Sequence, residues 1–347
     1  MQFPFFRCLF LAVLPGFGWS LPVMGALQTA PQGFYSLELK PGDQAVGVSL
    51  VNPALAHGTV AKSSGDRLTQ AAPAVDAGSL LTAGKACYLE VVGSPSGMAE
   101  EWLGHRFEVD VAATLAGPGG AGEIVLDLAS KWSTLSGLPP LAGYAFELRE
   151  HLTLDQVFPK ERLHGSTNFA EADQVQFFNG KGFEICYVYR RGSGPAQWTG
   201  QKVFASQDRR VLPPGEGFIF RRSTKGPGPV TLMVGGVART TPFVQPLAAG
   251  HNLVSGGFPA DSSFADRKAW PASYQNGDRV KAYQSSGFVT YRLYSTGSSP
   301  DDNRWVVLGD RSFASVNHVA VFDYRRASFL QLDEGDPSYR YFPPYQP

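Results

Sequence analysis

Few stretches of this 347-residue sequence place reactive side chains at spacings typical of a known site. The segment GPGGAG at 117–122 has the glycine spacing of a dinucleotide-binding loop, but the strand-like EIVLDLA follows it where that motif requires a helix. The six histidines are scattered and form neither H-x-x-x-H nor H-E-x-x-H. We therefore expect no cofactor and no metal site, and we assign no catalytic residue.

Acidic residues cluster in two places, PDDN at 300–303 and DEGDP at 333–337, without the spacing of a twelve-residue calcium loop. Asp173 and Asp278 recur in similar surroundings just before strand-like segments, where we expect their side chains to cap turns. A carboxylate pair for glycoside hydrolysis would come from distant strands, so sequence spacing cannot identify one. Hydrolysis of a polysaccharide therefore stays open as an alternative activity.

Two tryptophans and two arginine doublets are the best candidates for ligand contact. Each of two similar segments carries one tryptophan followed by one doublet: Trp198 with Arg221 and Arg222, and Trp305 with Arg325 and Arg326. A tryptophan ring is a flat apolar platform, and the planar fork of arginine matches carboxylates and sulfates. These residues predict binding of a polymer that carries sugar rings or anionic groups. The alternative is that the tryptophans are core residues and the arginines protect strand edges.

The composition favours strands over helices. Only 17% of residues are charged, and the chain contains 39 glycines, 26 prolines, 24 phenylalanines and 13 tyrosines. Frequent turns between aromatic segments are typical of all-β proteins. The formal net charge of zero gives no overall attraction to nucleic acid or anionic lipid, so we expect neither as a partner. We predict an all-β fold with two or three β-sandwich or barrel-like modules.

The first 26 residues have the features of a secretory leader. Arg7 precedes the apolar run CLFLAVL, and small residues at Gly25 and Ala26 offer a cleavage point. Prolines and glycines interrupt the segment before it reaches the roughly 20 apolar residues that a spanning helix needs. We predict a signal peptide over 1–26, export to the periplasm, cell surface or extracellular space, and no membrane span once the leader is removed.

An internal duplication is visible in the second half of the chain. DQVQFFNGKGFEICYVY at 173–189 aligns without a gap with DRVKAYQSSGFVTYRLY at 278–294. Around this match, Phe-Pro at 158–159 resembles 258–259, and the Arg221–Arg222 ending resembles the Arg325–Arg326 ending. The predicted organisation is an N-terminal β domain at 33–143, a first β repeat at 144–249, a second β repeat at 250–330 and a C-terminal tail at 331–347.

Several of these segments also carry a family resemblance. LTAGKACYLEV, GHRFEVD, LDQVFP, ADQVQFFNG and LPPGEGFIFRR together resemble a family of uncharacterised exported β-rich proteins that occur as paralogues in verrucomicrobial-type bacteria. The resemblance extends over about residues 33–330. It implies a leader and an exported β-rich product, and it implies no reaction, cofactor or catalytic residue.

These observations lead to one functional expectation and one alternative. We predict an exported binding or structural protein of the cell envelope or extracellular layer, with extracellular polysaccharide or an envelope component as its partner. The alternative is an exported hydrolase that acts on polysaccharide, and we expect binding rather than catalysis. Cys87 and Cys186 follow the leader; an oxidising compartment permits a disulfide between them, and two separate buried thiols are the other possibility.

Overall fold

Antiparallel sheets contain most of the regular structure, and the helices are short. The computed structural model describes residues 31–341 except for 75, 97, 99, 117–121, 265–275, 285–286, 296–302, 313, 318–319 and 334–339. The predicted signal peptide, most of the glycine-rich segment 117–122 and much of the tail 331–347 therefore lie outside the described residues. The all-β fold class is confirmed, because strands build three modules: a closed barrel and two related repeats.

The described part of the chain starts with three strands and then forms the barrel. The first strands are β1 Gln32–Leu39, β2 Gly42–Gly47 and β3 Leu50–Val51. The barrel closes in the order β4-β5-β8-β7-β6-β9. Its strands are β4 Ala54–Ser64, β5 Arg67–Gln70, β6 Cys87–Gly93, β7 Arg106–Val109, β8 Glu123–Asp127 and β9 Ala145–Glu150. Helix α1 Ala77–Leu80, a 3-10 turn at Glu100–Trp102 and helix α2 Val111–Ala116 lie in its connections.

The chain then returns to the first three strands and completes repeat 1. The elements are β10 Leu152–Thr153, α3 Leu154–Val157, 3-10 turns at Lys160–Arg162 and Phe169–Glu171, β11 Gln174–Phe178, β12 Phe183–Tyr189, β13 Gln197–Gly200, β14 Val211–Leu212, β15 Gly217–Arg222 and β16 Val230–Ala238. One sheet has the order β13-β12-β11-β15-β2, and the other has the order β1-β16-β3. Their inner faces share one hydrophobic core, so repeat 1 is a β-sandwich.

Repeat 2 follows directly. Its strands are β17 Phe243–Val244, β18 Gly250–Ser255, β19 Ser262–Ser263, β20 Arg279–Gln284, β21 Gly287–Ser295, β22 Asn303–Val307, β23 Ala320–Phe322, β24 Ala327–Leu332 and β25 Arg340–Tyr341. The main sheet has the order β22-β21-β20-β24-β18, and β17 pairs with β25. A third hydrophobic core lies within this repeat.

The two main sheets correspond strand for strand, which confirms the duplication. Strands β2, β15, β11, β12 and β13 occupy the places of β18, β24, β20, β21 and β22. Registers also agree: Phe178 pairs with Phe183 as Tyr283 pairs with Phe288. The short pairs β10–β14 and β19–β23 correspond in the same way. The structure thus extends the duplication to strands whose sequences share little.

The module boundaries differ from the predicted ones. The barrel does not end at residue 143, because β9 closes it as far as Glu150. Strands β1–β3 belong to repeat 1, so the barrel is an insertion between β3 and β10. The side-chain amide of Asn52 donates to the carbonyls of Glu150 and His151 at 3.2 and 3.1 Å, so the entry and exit of the barrel lie together. Insertion between adjacent surface points leaves a host fold intact.

The resemblance between the two arginine-doublet endings does not reflect equivalent positions. Val175 pairs with Phe220, whereas the matching Val280 pairs with Leu330, so the counterpart of GFIFRR is ASFLQL at 327–332. The doublet at 325–326 lies in the turn before that strand. The Phe-Pro match also fails, since Phe158 follows β10 while Phe258 precedes its counterpart β19. At both places the residues are similar in type but do not occupy equivalent positions in the two repeats.

The two repeats pack sheet against sheet at glycines. A Cβ on Gly47 would lie 2.8 Å from the Cβ of Ser255, its counterpart in repeat 2. A Cβ on Gly217 would overlap the Cβ of Ala327, which is again its counterpart. Contacts between equivalent residues are the mark of a two-fold arrangement. Two backbone hydrogen bonds follow the same symmetry, from Gly47 N to Arg325 O at 3.0 Å and from Ser255 N to Gly215 O at 2.8 Å.

Cys87 and Cys186 lie in different cores. Cys87 is buried in β6 of the barrel and Cys186 is buried in β12 of repeat 1, and both are free thiols. The disulfide considered from the sequence is therefore absent, because the two cores are separate. Burial raises the pKa of the Cys87 thiol to about 12 and also raises the pKa of Cys186.

We expect Gly217→Ala to destabilise the fold by about 1–3 kcal/mol, because overpacking forces the repeats apart. Gly217→Ala combined with Ala327→Gly should recover much of this loss, since the two positions face each other. Gly33→Ala, which meets no atom within 4 Å, is the control. Thermal or denaturant unfolding measures all three. A single variant as stable as wild type, or a double variant no better than the single, would contradict the packing described.

Thiol titration with an aromatic disulfide reagent should find no reactive cysteine at neutral pH in the folded protein from which the leader has been removed. The same protein in denaturant should react at both Cys87 and Cys186. Burial and a raised pKa both suppress the thiolate that attacks the reagent. Absence of reactive thiols after denaturation without reductant would show that the two cysteines are bonded.

Candidate functional site

The two predicted stacking residues are core residues. Trp198 is fully buried in the core of repeat 1, where its indole nitrogen donates to the carbonyl of Phe158 at 2.9 Å. Trp305 is 3% exposed in the core of repeat 2 and stacks on Phe264 with ring centroids 4.5 Å apart. Their positions are equivalent, opposite Val188 and Leu293. Neither ring is available to a ligand, so the predicted platforms do not exist.

Arg222 is also structural. Its guanidinium is buried against the fully buried carboxylate of Asp173 and donates to the carbonyl of Gly228 at 2.9 Å. Asp173 further accepts from the backbone nitrogens of His164 and Ser223, each at 2.7 Å. Asp278 is the counterpart of Asp173 in repeat 2. Its carboxylate accepts from the backbone nitrogen of Asp333 at 3.0 Å, and Asp333 there takes the place of Ser223. The repeated aspartates thus hold backbone amides, as predicted for turn-capping residues.

The other three arginines lie near one another at the junction of the repeats. Arg221 forms a bidentate pair with Asp43 at 2.6 and 2.9 Å. Arg325 forms a bidentate pair with Asp323 at 2.9 and 3.0 Å. Arg325 and the neighbouring Arg326 line a cavity of about 520 Å³ between the β1–β2 turn of repeat 1 and the β20–β21 hairpin of repeat 2. We call this cavity the inter-repeat cleft.

Arg326 is the cation of the cleft that lacks a carboxylate partner. Its guanidinium donates to the side-chain oxygen of Gln44 at 3.2 Å and lies 5.4 Å from the ring centre of Tyr283. Among the described residues, none places a carboxylate oxygen within ion-pair distance of it. Burial lowers the pKa of Arg326, and the negative charge of Asp323 opposes this effect. An arginine remains protonated through such shifts, so the cleft holds a fixed positive charge.

The acidic side chains of the cleft are already neutralised. Glu38 lies 3.5 Å from the ammonium of Lys40. Asp43 and Asp323 have their arginine partners, and the Asp43 carbonyl accepts from the Tyr283 hydroxyl at 3.3 Å. One guanidinium, that of Arg326, remains after these pairs are matched. The arrangement can therefore receive one anionic group together with hydrogen-bonding polar groups.

Sequence reasoning missed Gln44 and Tyr283, which hold Arg326 in place. Tyr283 differs from its counterpart Phe178 only by a hydroxyl, and that hydroxyl contacts the backbone of Asp43. A tyrosine replacing a phenylalanine within the duplicated segment was the available signal. Gln44 lies in repeat 1, far from Arg326 in sequence, so only the packing of the repeats brings it close.

A buried histidine–glutamate pair is the other arrangement that resembles catalytic chemistry. His151 Nε2 lies 2.8 and 2.9 Å from the two carboxylate oxygens of Glu108. The second ring nitrogen of His151 is buried without a hydrogen-bond partner, so the pair has no hydroxyl or thiol to activate. As it stands in the described part of the chain, the His151–Glu108 pair therefore does not identify a catalysed reaction.

Within the described ranges, no group of three or more histidine, cysteine, aspartate or glutamate side chains is arranged to hold a metal ion. No helix in those ranges has the length and apolar character needed to cross a membrane. Helix α2 precedes the glycine-rich segment at 117–122 and strand β8 follows it, the reverse of a dinucleotide-binding order. No known protein family matches the chain, and neither a curated protein nor a solved structure shows significant similarity to it.

Proposed function

We propose that this protein is an exported binding protein of the cell envelope or extracellular layer, and that the inter-repeat cleft is its ligand site. The half-buried Arg326, held by Gln44 and Tyr283 without a carboxylate partner, carries this proposal. A cavity of about 520 Å³ lies within the range of roughly 300–1,000 Å³ that small-molecule sites occupy. The duplication supports it further, since the cleft forms where two packed repeats meet.

The ligand is an acidic sugar unit of an extracellular polysaccharide. A guanidinium recognises a carboxylate through two parallel hydrogen bonds, which gives both orientation and affinity. Ser36 also lines the cleft, and its hydroxyl suits the hydroxyl groups of a sugar. The paired acids Glu38 and Asp323 do not oppose an anion strongly, because each has its own cation.

Arg326→Gln should weaken binding of galacturonate oligomers at least tenfold. A hydrogen bond to a charged group contributes about 1.5–3 kcal/mol, and 1.4 kcal/mol corresponds to a factor of ten. Titration calorimetry with galacturonate oligomers and neutral glucose oligomers measures the effect. Arg191→Gln, at an exposed arginine, is the control. Equal affinity for acidic and neutral oligomers, or wild-type affinity in Arg326→Gln, would refute the cleft as an acidic-sugar site.

Export itself has a direct test. The leader features of residues 1–26 predict that the mature protein begins between residues 21 and 28. Amino-terminal sequencing of protein recovered outside the cytoplasm should find that start. Mature protein that retains Met1 would overturn the proposed export.

A further inference from the structure

The outer face of the main sheet of repeat 2 carries a cluster of cations. Val280 and Tyr291 pair with each other and point into the core, so the residues that alternate with them point outward. Arg292 pairs with Val306, and Tyr294 pairs with Arg304, on the same outer side. Four cations therefore share this surface, which we call the basic face: Arg279, Lys281, Arg292 and Arg304.

Among the described residues, the cations of the basic face lie close together and have no acidic partner. Arg279 pairs directly with Arg292 across β20 and β21, and both are exposed. Directly opposed residues have Cβ atoms about 4.5–5.5 Å apart, and like charges at such positions destabilise a sheet. Among the described residues, none forms an ion pair with any of the four. The opposed arginines cost stability and leave four cations available to an anionic ligand.

Repeat 1 shows that the fold does not require these charges. Gln174 pairs with Tyr187 where Arg279 pairs with Arg292. Tyr189 pairs with Gln197 where Tyr294 pairs with Arg304, and Gln176 occupies the place of Lys281. All four counterparts are uncharged: Gln174, Gln176, Tyr187 and Gln197. In repeat 1 this side of the sheet is covered, since Gln174, Gln176 and Tyr187 are buried, whereas in repeat 2 Arg279 and Arg292 are exposed.

A row of aromatic rings lies beside the basic face and crosses from one repeat to the other. Successive ring centroids are 5.3, 5.9, 5.7 and 5.0 Å apart in the order Phe183, Phe178, Phe329, Phe288 and Tyr283. Phe183 and Phe288 are 39% and 44% exposed. Tyr283 belongs both to this row and to the inter-repeat cleft. The row therefore connects the basic face with the cleft.

We propose that the basic face and the exposed rings of the aromatic row bind the chain of a linear anionic polysaccharide, of which the cleft holds one acidic unit. This inference rests on the proposed function for its ligand class. Guanidinium forks match carboxylate and sulfate groups, and exposed phenylalanines offer apolar contact to sugar rings. The net charge of zero disfavours a nucleic acid or an anionic membrane, which a wholly basic surface would attract. Simultaneous contact at face and cleft adds affinity through avidity.

The test replaces each cation by its repeat 1 counterpart: Arg279→Gln, Lys281→Gln, Arg292→Tyr and Arg304→Gln. Biolayer interferometry measures binding to polygalacturonate, dextran sulfate and neutral dextran. Wild type should bind at least one acidic polymer, more weakly as salt rises, and should not bind neutral dextran. The four-residue variant should lose at least tenfold in affinity. The two acidic polymers separate carboxylate from sulfate recognition.

A charge-matched control removes four exposed cations elsewhere: Lys62→Gln, Lys181→Gln, Lys202→Gln and Arg191→Gln. It should bind within about threefold of wild type. Unfolding of the basic-face variant should occur at or above the wild-type temperature, because the Arg279–Arg292 repulsion is gone. If the four-residue variant unfolds at a lower temperature than wild type, the double variant Lys281→Gln with Arg304→Gln is tested instead. Its affinity for the acidic polymer should fall about threefold.

Several outcomes would overturn this inference. The first is an equal loss of affinity for acidic polymer in the basic-face variant and the control variant. The second is binding of neutral dextran as tight as that of acidic polymer. The third is tighter binding of single-stranded DNA or anionic vesicles than of either acidic polymer. The cleft is judged separately by the effect of Arg326→Gln on the affinity for short galacturonate oligomers. Loss of polymer binding in the basic-face variant, with Arg326→Gln at wild-type affinity, would support the basic face as the polymer site and reject the cleft as the holder of an acidic unit.

Discussion

The close approach of two β-sheets at Gly47 and Gly217 is the constraint on which the arrangement of the repeats depends. At both positions a side chain would meet the equivalent residue of the other repeat, Ser255 or Ala327. Two symmetry-related backbone hydrogen bonds join the sheets at the same place. Because interiors are close-packed, a missing Cβ here sets the distance between the repeats. The cleft and the continuous aromatic row both follow from that distance.

The two-fold packing has allowed the repeats to diverge outside their contact. The contact itself joins small apolar residues from both, among them Ala45 and Ala327. Beyond it, repeat 1 carries uncharged residues where repeat 2 carries the cations of the basic face. Arg326 likewise has the acidic Glu216 as its counterpart, and burial raises the pKa of that carboxyl. Equivalent backbone positions thus carry an arginine at one end of the pseudo-symmetric contact and, at the other, a glutamate whose neutral form burial favours.

The inserted barrel is held to its host by buried charge. Glu90 of the barrel and Arg239 after β16 form an ion pair with both side chains buried. Arg106 of the barrel donates to the carbonyl of Pro214 at 2.6 Å. A buried ion pair that loses one partner leaves an uncompensated charge, so removing Glu90 or Arg239 alone would destabilise this junction. Gly104 also allows the barrel to approach repeat 2 closely, because a Cβ there would meet the backbone of Phe243 in β17.

The sequence by itself determined the all-β class and the duplication, because strand composition, turn glycines and an ungapped match are local signals. It also indicated that Asp173 and Asp278 hold backbone amides. Only the tertiary structure decided that Trp198 and Trp305 face the core, since alternation along a strand defines two faces without saying which one is buried. Strand order and register decide where the barrel is inserted. They also place Gln44 beside Arg326 and put the four cations on one side of the sheet. Those are set by contacts between residues far apart in the chain, which no local pattern encodes.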